Sequence, residues 1–179
     1  MTPPTIRAMA SRALMWFRSD LRTEANPAFA DATSAFDEVL AVITVEPRLL
    51  DSVGPFRRSQ WLADVAGLDI VLHALGGSLT VRVGSTEREL AALACSADAI
   101  VFNPATSRWG RARDEAVVSA LRLPARRHWG TLVTEPGTAL TAKGTLSRVF
   151  TPFHKAWERV ALPPVPPNGP AVLVGEPSD

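Results

Sequence analysis

One cysteine, three histidines and almost no net charge place several classes of protein out of reach. Cys95 stands alone among 179 residues, so no disulfide can close within the chain, and a reducing compartment is favoured. His73, His128 and His154 lie far apart with no further cysteines beside them, so a zinc site is not expected. A formal net charge of +1 gives no global attraction to nucleic acid or to membranes, although a local basic patch stays open. The N-terminus lacks the apolar stretch of a secretory signal, and the apolar run from Ala13 to Phe17 is far too short to span a bilayer. A cytoplasmic protein is therefore expected, with Met9 as an alternative start. The sequence also has no G-x-x-x-x-G-K-[ST], no G-x-G-x-x-G after its first apolar run, no G-x-S-x-G and no internal repeat. No nucleophile–base–orienter set is visible, so these residues are not expected to be catalytic.

What is present is a balanced globular composition, 46% hydrophobic and 21% charged, at a length suited to one domain with or without a tail. Apolar and amphipathic runs alternate. Ala13 to Phe17 reads as a strand covered on both faces. Asn26-Pro27 reads as an N-cap and first helical position, opening a short helix through Ala32. Val39 to Val45 is a second strand. From about Arg57 to Leu75, the apolar residues Trp61, Val65, Leu68, Leu72 and Leu75 make one helical stripe, which Gly76-Gly77 ends. Leu79 to Val83 is a third strand. A helix from Thr86 to Ala94 follows, capped by Ser85 or Thr86. Ala99 to Phe102 is a fourth strand, Arg111 to Leu121 a helix, and Trp129 to Thr134 a fifth strand. Strict β-α alternation predicts a five-stranded parallel sheet, Rossmann-like or flavodoxin-like, with helices on both faces. Residues 1–12 read as an extension and residues 13–161 as the domain. Residues 162–179 carry six prolines, the last Pro177, and read as a linker or tail.

In such a sheet, ligands bind at the carboxyl ends of the strands, near the switch in strand order. Arg18, Asp20 and Arg22 follow the first strand and so fall at that crevice, with Asn26 just beyond. They either tie down the turn, Asp20 pairing with a neighbouring arginine, or frame a ligand. "RLPARRHWG" (Arg122, Arg126, Arg127, His128) is a basic run, read as an exposed loop before a strand rather than a phosphate-backbone contact. Cys95, at the end of an apolar helix, is expected to be a buried small residue.

Five collinear segments carry a resemblance. "WFRSDLRTEANPAF", "VITVEPRLL", "GPFRRSQWLADVAGLDIVLHALGGSLTVRVG", "RARDEAVVSAL" and "RVFTPFHKAW" resemble, in this order, signatures of the N-terminal domain of the DNA photolyase/cryptochrome family. The match runs from about Leu14 to Trp157. The resemblance implies an α/β domain that carries a light-harvesting antenna and docks on a helical domain holding FAD and contacting DNA. The catalytic FAD site would then lie outside this chain, which would not repair DNA alone. The antenna residues it implies lie after the second strand (Val45, Glu46, Pro47, Arg48) and after the fourth (Asn103, Trp109, Arg111, Arg113). Arg111 and Arg113 could equally be a first helical turn paired with Asp114 or Glu115. Trp109 could stack on a ring or pack on a neighbour. Trp109-Gly110 stands where folate-binding members carry Asn-Glu, so 8-hydroxydeazaflavin, FMN or FAD is favoured over methenyltetrahydrofolate. Phe150, Thr151, Pro152, Phe153 and Trp157 would face the helical domain, with Lys143, Arg148 and Lys155 around them. The alternatives are a standalone nucleotide-like ligand-binding or regulatory module of the same fold, and a subunit pairing in trans with a separate flavin domain.

Overall fold

The computed structural model describes residues 10–175; Met9 and the rest of the first nine residues, like Pro177, lie outside the described residues. Six parallel strands form one sheet: β1 (Arg12–Phe17), β2 (Glu38–Val45), β3 (Thr80–Val83), β4 (Ala99–Phe102), β5 (Ala125–Arg127) and β6 (Val172–Val174). The order is β3-β2-β1-β4-β5, the Rossmann-like alternative, with β6 added beside β2. Six helices connect them: α1 (Pro27–Ala35), α2 (Pro47–Ser52), α3 (Pro55–Ala74), α4 (Thr86–Ala94), α5 (Arg108–Leu121) and α6 (Phe150–Trp157).

β1 is apolar throughout because both its faces are covered. Alternate side chains enter opposite cores. Ala13, Met15 and Phe17 meet Phe29 of α1 and Leu68 and Leu72 of α3. Leu14 and Trp16 meet Leu90 and Leu93 of α4 and Val117 and Leu121 of α5. Each fully buried large apolar side chain contributes on the order of 2 kcal/mol. α1 starts where Asn26 accepts the Phe29 amide at 3.3 Å, with Pro27 in its first turn.

Several expectations fail locally. The fifth strand is Ala125–Arg127 and not Trp129 to Thr134. Residues 125–127 already take the pairing positions opposite Ile100, Val101 and Phe102. This edge strand is short and charged, as edges often are, so its composition hides it. The basic run is therefore not a free loop: Arg126 pairs with Asp31 at 2.5 Å, Arg127 with Glu115 at 3.0 Å, and His128 lies 2.9 Å from Asp31. Leu75 of the expected stripe is exposed, because the helix ends at Ala74 and Leu75 is its C-cap. Cys95 is exposed, since it too has become a C-cap, that of α4.

The segment read as linker or tail rejoins the sheet. β6 pairs with β2 over Glu38, Val39 and Leu40, below the stretch that β3 occupies on the same edge, and it buries Leu173 in the α1–α3 core. The approach to β6 is close. The Gly169 amide donates to Thr33 Oγ1 at 2.9 Å, and a Cβ on Gly169 would collide with the backbone of Thr33 and Ser34. Prolines hold this segment extended, and their missing N–H groups leave β6 as the part that can pair.

Candidate functional site

The strand order reverses between β1 and β4, so their carboxyl ends stand side by side. Arg18 and Asp20 follow β1, and Asn103 follows β4. These residues form one buried network. Asp20 is 1% exposed and accepts the Arg18 amide at 3.0 Å and the Asn103 Nδ2 at 2.5 Å. Asn103 Nδ2 also donates to Asn26 Oδ1 at 2.8 Å, and Asn103 Oδ1 accepts the Gly130 amide at 2.9 Å. A side chain at residue 130 would run into Asn103, so glycine is required there. Arg22 donates to the carbonyls of Gly130, at 2.5 Å, and Ala25, at 3.1 Å. The first loop, the loop after β4 and the segment after β5 are thus bound together.

Arg18 does not pair side chain to side chain with Asp20. Its guanidinium bonds Asp114 of α5 and the Asn103 carbonyl, and it lies over the rings of Trp16 and Phe102. Asp114 in turn accepts the Ala105 amide at 2.8 Å, fixing the start of the loop into α5. Burial lowers the Arg18 pKa from its ordinary value; Asp114 opposes this, the nearby Arg113 reinforces it, and Asp20 again opposes it. A buried cation held between one carboxylate and two aromatic faces is a device for positioning rather than for proton transfer.

Above this network lies a cleft of about 440 Å³. Small-molecule sites span roughly 300–1,000 Å³. Its floor is the carboxyl end of β2, Ile43 to Val45. Leu49, Leu50 and Val53 from α2 and the following turn make one apolar wall, closed by Trp61 of α3. Pro104 to Ser107 make the facing wall, and Arg18, Arg57, Arg113 and Thr131 supply polar groups. Ser107 caps α5 by accepting the Gly110 amide at 3.0 Å.

The expected site residues divide. Val45, Glu46 and Arg113 line the cleft. Pro47, Arg48, Trp109 and Arg111 do not; all four are exposed, Trp109 at 57%. Asn103 is buried beneath, with both ends of its amide engaged, so it holds the loops rather than facing the cleft. Arg113 pairs with neither Asp114 nor Glu115. Its guanidinium lies over Trp109 and Trp16, at 5.0 and 5.6 Å from the ring centroids. Trp109 therefore stands outside the cleft and packs on one of the arginines that line it. Sequence reading missed Arg57, Trp61 and the α2 wall. The turn Pro104 to Ser107 carried no signal beyond its place after a buried strand. Phe150, Thr151, Pro152 and Phe153 are exposed on α6, Phe150 at 74%, while Trp157 is partly covered. Among the described residues, no helix is long and apolar enough to cross a membrane, and no group of three or more potential metal ligands occurs.

Comparison with known proteins agrees with this architecture. The chain is 34% identical over 168 residues to a deoxyribodipyrimidine photo-lyase of Agrobacterium fabrum, covering 89% of this chain and 34% of that protein. It is 31% identical over 182 residues to cryptochrome DASH of Gloeobacter violaceus, covering 91% and 36%. It thus spans about a third of the length of the relatives it matches. An archaeal photolyase of Sulfolobus tokodaii, solved with two FAD molecules and an implied novel light-harvesting cofactor, superposes with a TM-score of 0.82 at 24% identity, covering 91% of this chain and 38% of that one. A class III photolyase of Agrobacterium tumefaciens gives a TM-score of 0.76 at 30% identity, covering 99% and 39%. With the DNA photolyase family model matching residues 13–171, from β1 to the approach of β6, the chain belongs to the DNA photolyase family and corresponds to its N-terminal α/β region.

Proposed function

We propose that this domain binds a light-harvesting chromophore in the cleft above β1, β2 and β4, and that the exposed face of α6 docks on a FAD-binding helical domain. The observation that carries the reading is the cleft itself. It lies at the reversal of strand order, has two apolar walls and is lined by guanidinium groups, in a chain of the photolyase family. Leu50, Val53 and Trp61 against Pro104 and Ala105 suit a flat ring system. Val45, Glu46 and Arg113 touch the ligand in this reading, and Trp109 acts through the Arg113 that it supports. Photorepair chemistry and contact with DNA belong to the helical domain, in cis in a longer chain or in trans.

The chromophore is 8-hydroxydeazaflavin, FMN or FAD in preference to methenyltetrahydrofolate. Glu46, the one carboxylate lining the cleft among the described residues, already accepts the Thr86 hydroxyl at 2.6 Å, and Gly110 offers no carboxylate where folate-binding members carry one. The docking half rests on α6, where Phe150 is 74% exposed and Phe153 37%.

The test is a parallel fluorescence titration of the purified domain with the four chromophores. Saturable binding of a flavin or deazaflavin that is lost in Ala105→Trp, which fills the cleft, is the expected result. No binding of any of the four by a folded domain rejects the chromophore reading.

A further inference from the structure

Three arginines line the cleft, and they differ in what opposes their charge. Arg18 is spoken for by Asp114 and by the Asn103 carbonyl. Arg57 and Arg113 form no ion pair among the described residues. Arg113 is held by ring stacking alone, and its Nε is buried with no hydrogen-bond partner. Glu46, the only acid on the cleft wall among the described residues, is engaged with Thr86. The lining therefore presents two uncompensated cations beside an apolar slot. Forked guanidinium donors match the oxygens of a phosphate, and two of them match its charge.

We propose that Arg57 and Arg113 receive a phosphate-bearing arm of the ligand, so that the cleft selects a phosphorylated flavin over its neutral counterpart. This rests on the cleft being the chromophore site. The apolar walls hold the ring, and the two arginines read the arm. A carboxylate-bearing arm, as on a folate, would meet the same donors and is separated by the experiment.

FMN and riboflavin share one ring and differ by the phosphate, so they are the probes. At low ionic strength FMN should bind at least ~10-fold tighter, the ratio that one charge-assisted contact of about 1.5 kcal/mol gives. Arg57→Gln should lower FMN affinity more than riboflavin affinity and so shrink that ratio, and Arg57→Lys should restore part of it. Added salt should lower FMN affinity alone. Because Arg113→Gln disturbs packing on Trp16, the exposed Arg57 is the deciding position. Equal binding of FMN and riboflavin overturns the phosphate inference and leaves the chromophore site standing. Binding of methenyltetrahydrofolate with neither flavin overturns it too, in favour of a carboxylate arm. If no chromophore binds, both readings fall.

Discussion

From β1 to β5 each inner strand sends alternate side chains into both of two cores, and the ends of β1 and β4 are tied by a buried polar network. From Trp129 to Pro170 the chain behaves differently. Of its apolar residues outside glycine and proline, only Ala139 and Ala156 are buried, while Leu132, Val133, Leu146, Val149, Phe150 and Val165 are exposed. The first stretch stabilises itself. The second carries apolar surface that the domain does not use, and it is held mainly at its ends, by Asn103 on Gly130 and by β6 on β2. The body also leaves Phe56, Ile70 and Val83 exposed, so what sets the second stretch apart is that its apolar residues have almost no core of their own beneath them.

This contrast can be broken or sharpened by mutation. The largest effect is expected in the body. Asp114→Ala leaves the Arg18 guanidinium buried without its carboxylate, and about 3 kcal/mol of stability should be lost, as for other broken buried pairs. Urea denaturation measures it, and a change below about 1 kcal/mol would show that Asp20 or water takes over the pairing. An intermediate effect is expected where the second stretch is pinned. Leu173→Ala should cost about 2 kcal/mol, at the low end for a core leucine because β6 is an edge strand. Hydrogen exchange should then quicken at Val172 to Val174 before it quickens at β1; uniform quickening would make β6 part of one cooperative unit with the core. The smallest effect is expected at α6. Phe150→Ser with Phe153→Ser should change stability by less than ~0.5 kcal/mol in urea denaturation, as for exposed sites in general. A large loss of stability would mean that these rings pack on this domain after all.

The same contrast governs how much could be read in advance. Four of the six strands are apolar runs whose period and length are local properties, and each was legible near its true bounds. The cap at Asn26 and the end of α3 were legible for the same reason, since turn chemistry acts within a few residues. β5 was not, because Ala125–Arg127 is an edge strand with charged side chains, and the more apolar Trp129 to Thr134 nearby looked better suited. β6 was hidden by the prolines that precede it. Of the cleft, the end of β2 and Arg113 were placed from the family pattern, whereas Arg57 and Trp61 were assigned only to a helix and its stripe.

By itself the sequence determined an alternating parallel α/β domain, its two-sided central strands and the position of the crevice at their carboxyl ends. Those follow from side-chain periodicity and from the handedness of crossovers. Only the tertiary structure decided which charge meets which. Arg18 finds Asp114, 96 residues away, and Asp20 finds Asn103, 83 residues away, because β4 lies beside β1. Periodicity acts over one or two turns, but the choice of partner depends on strand order, and strand order is settled only when the whole sheet assembles.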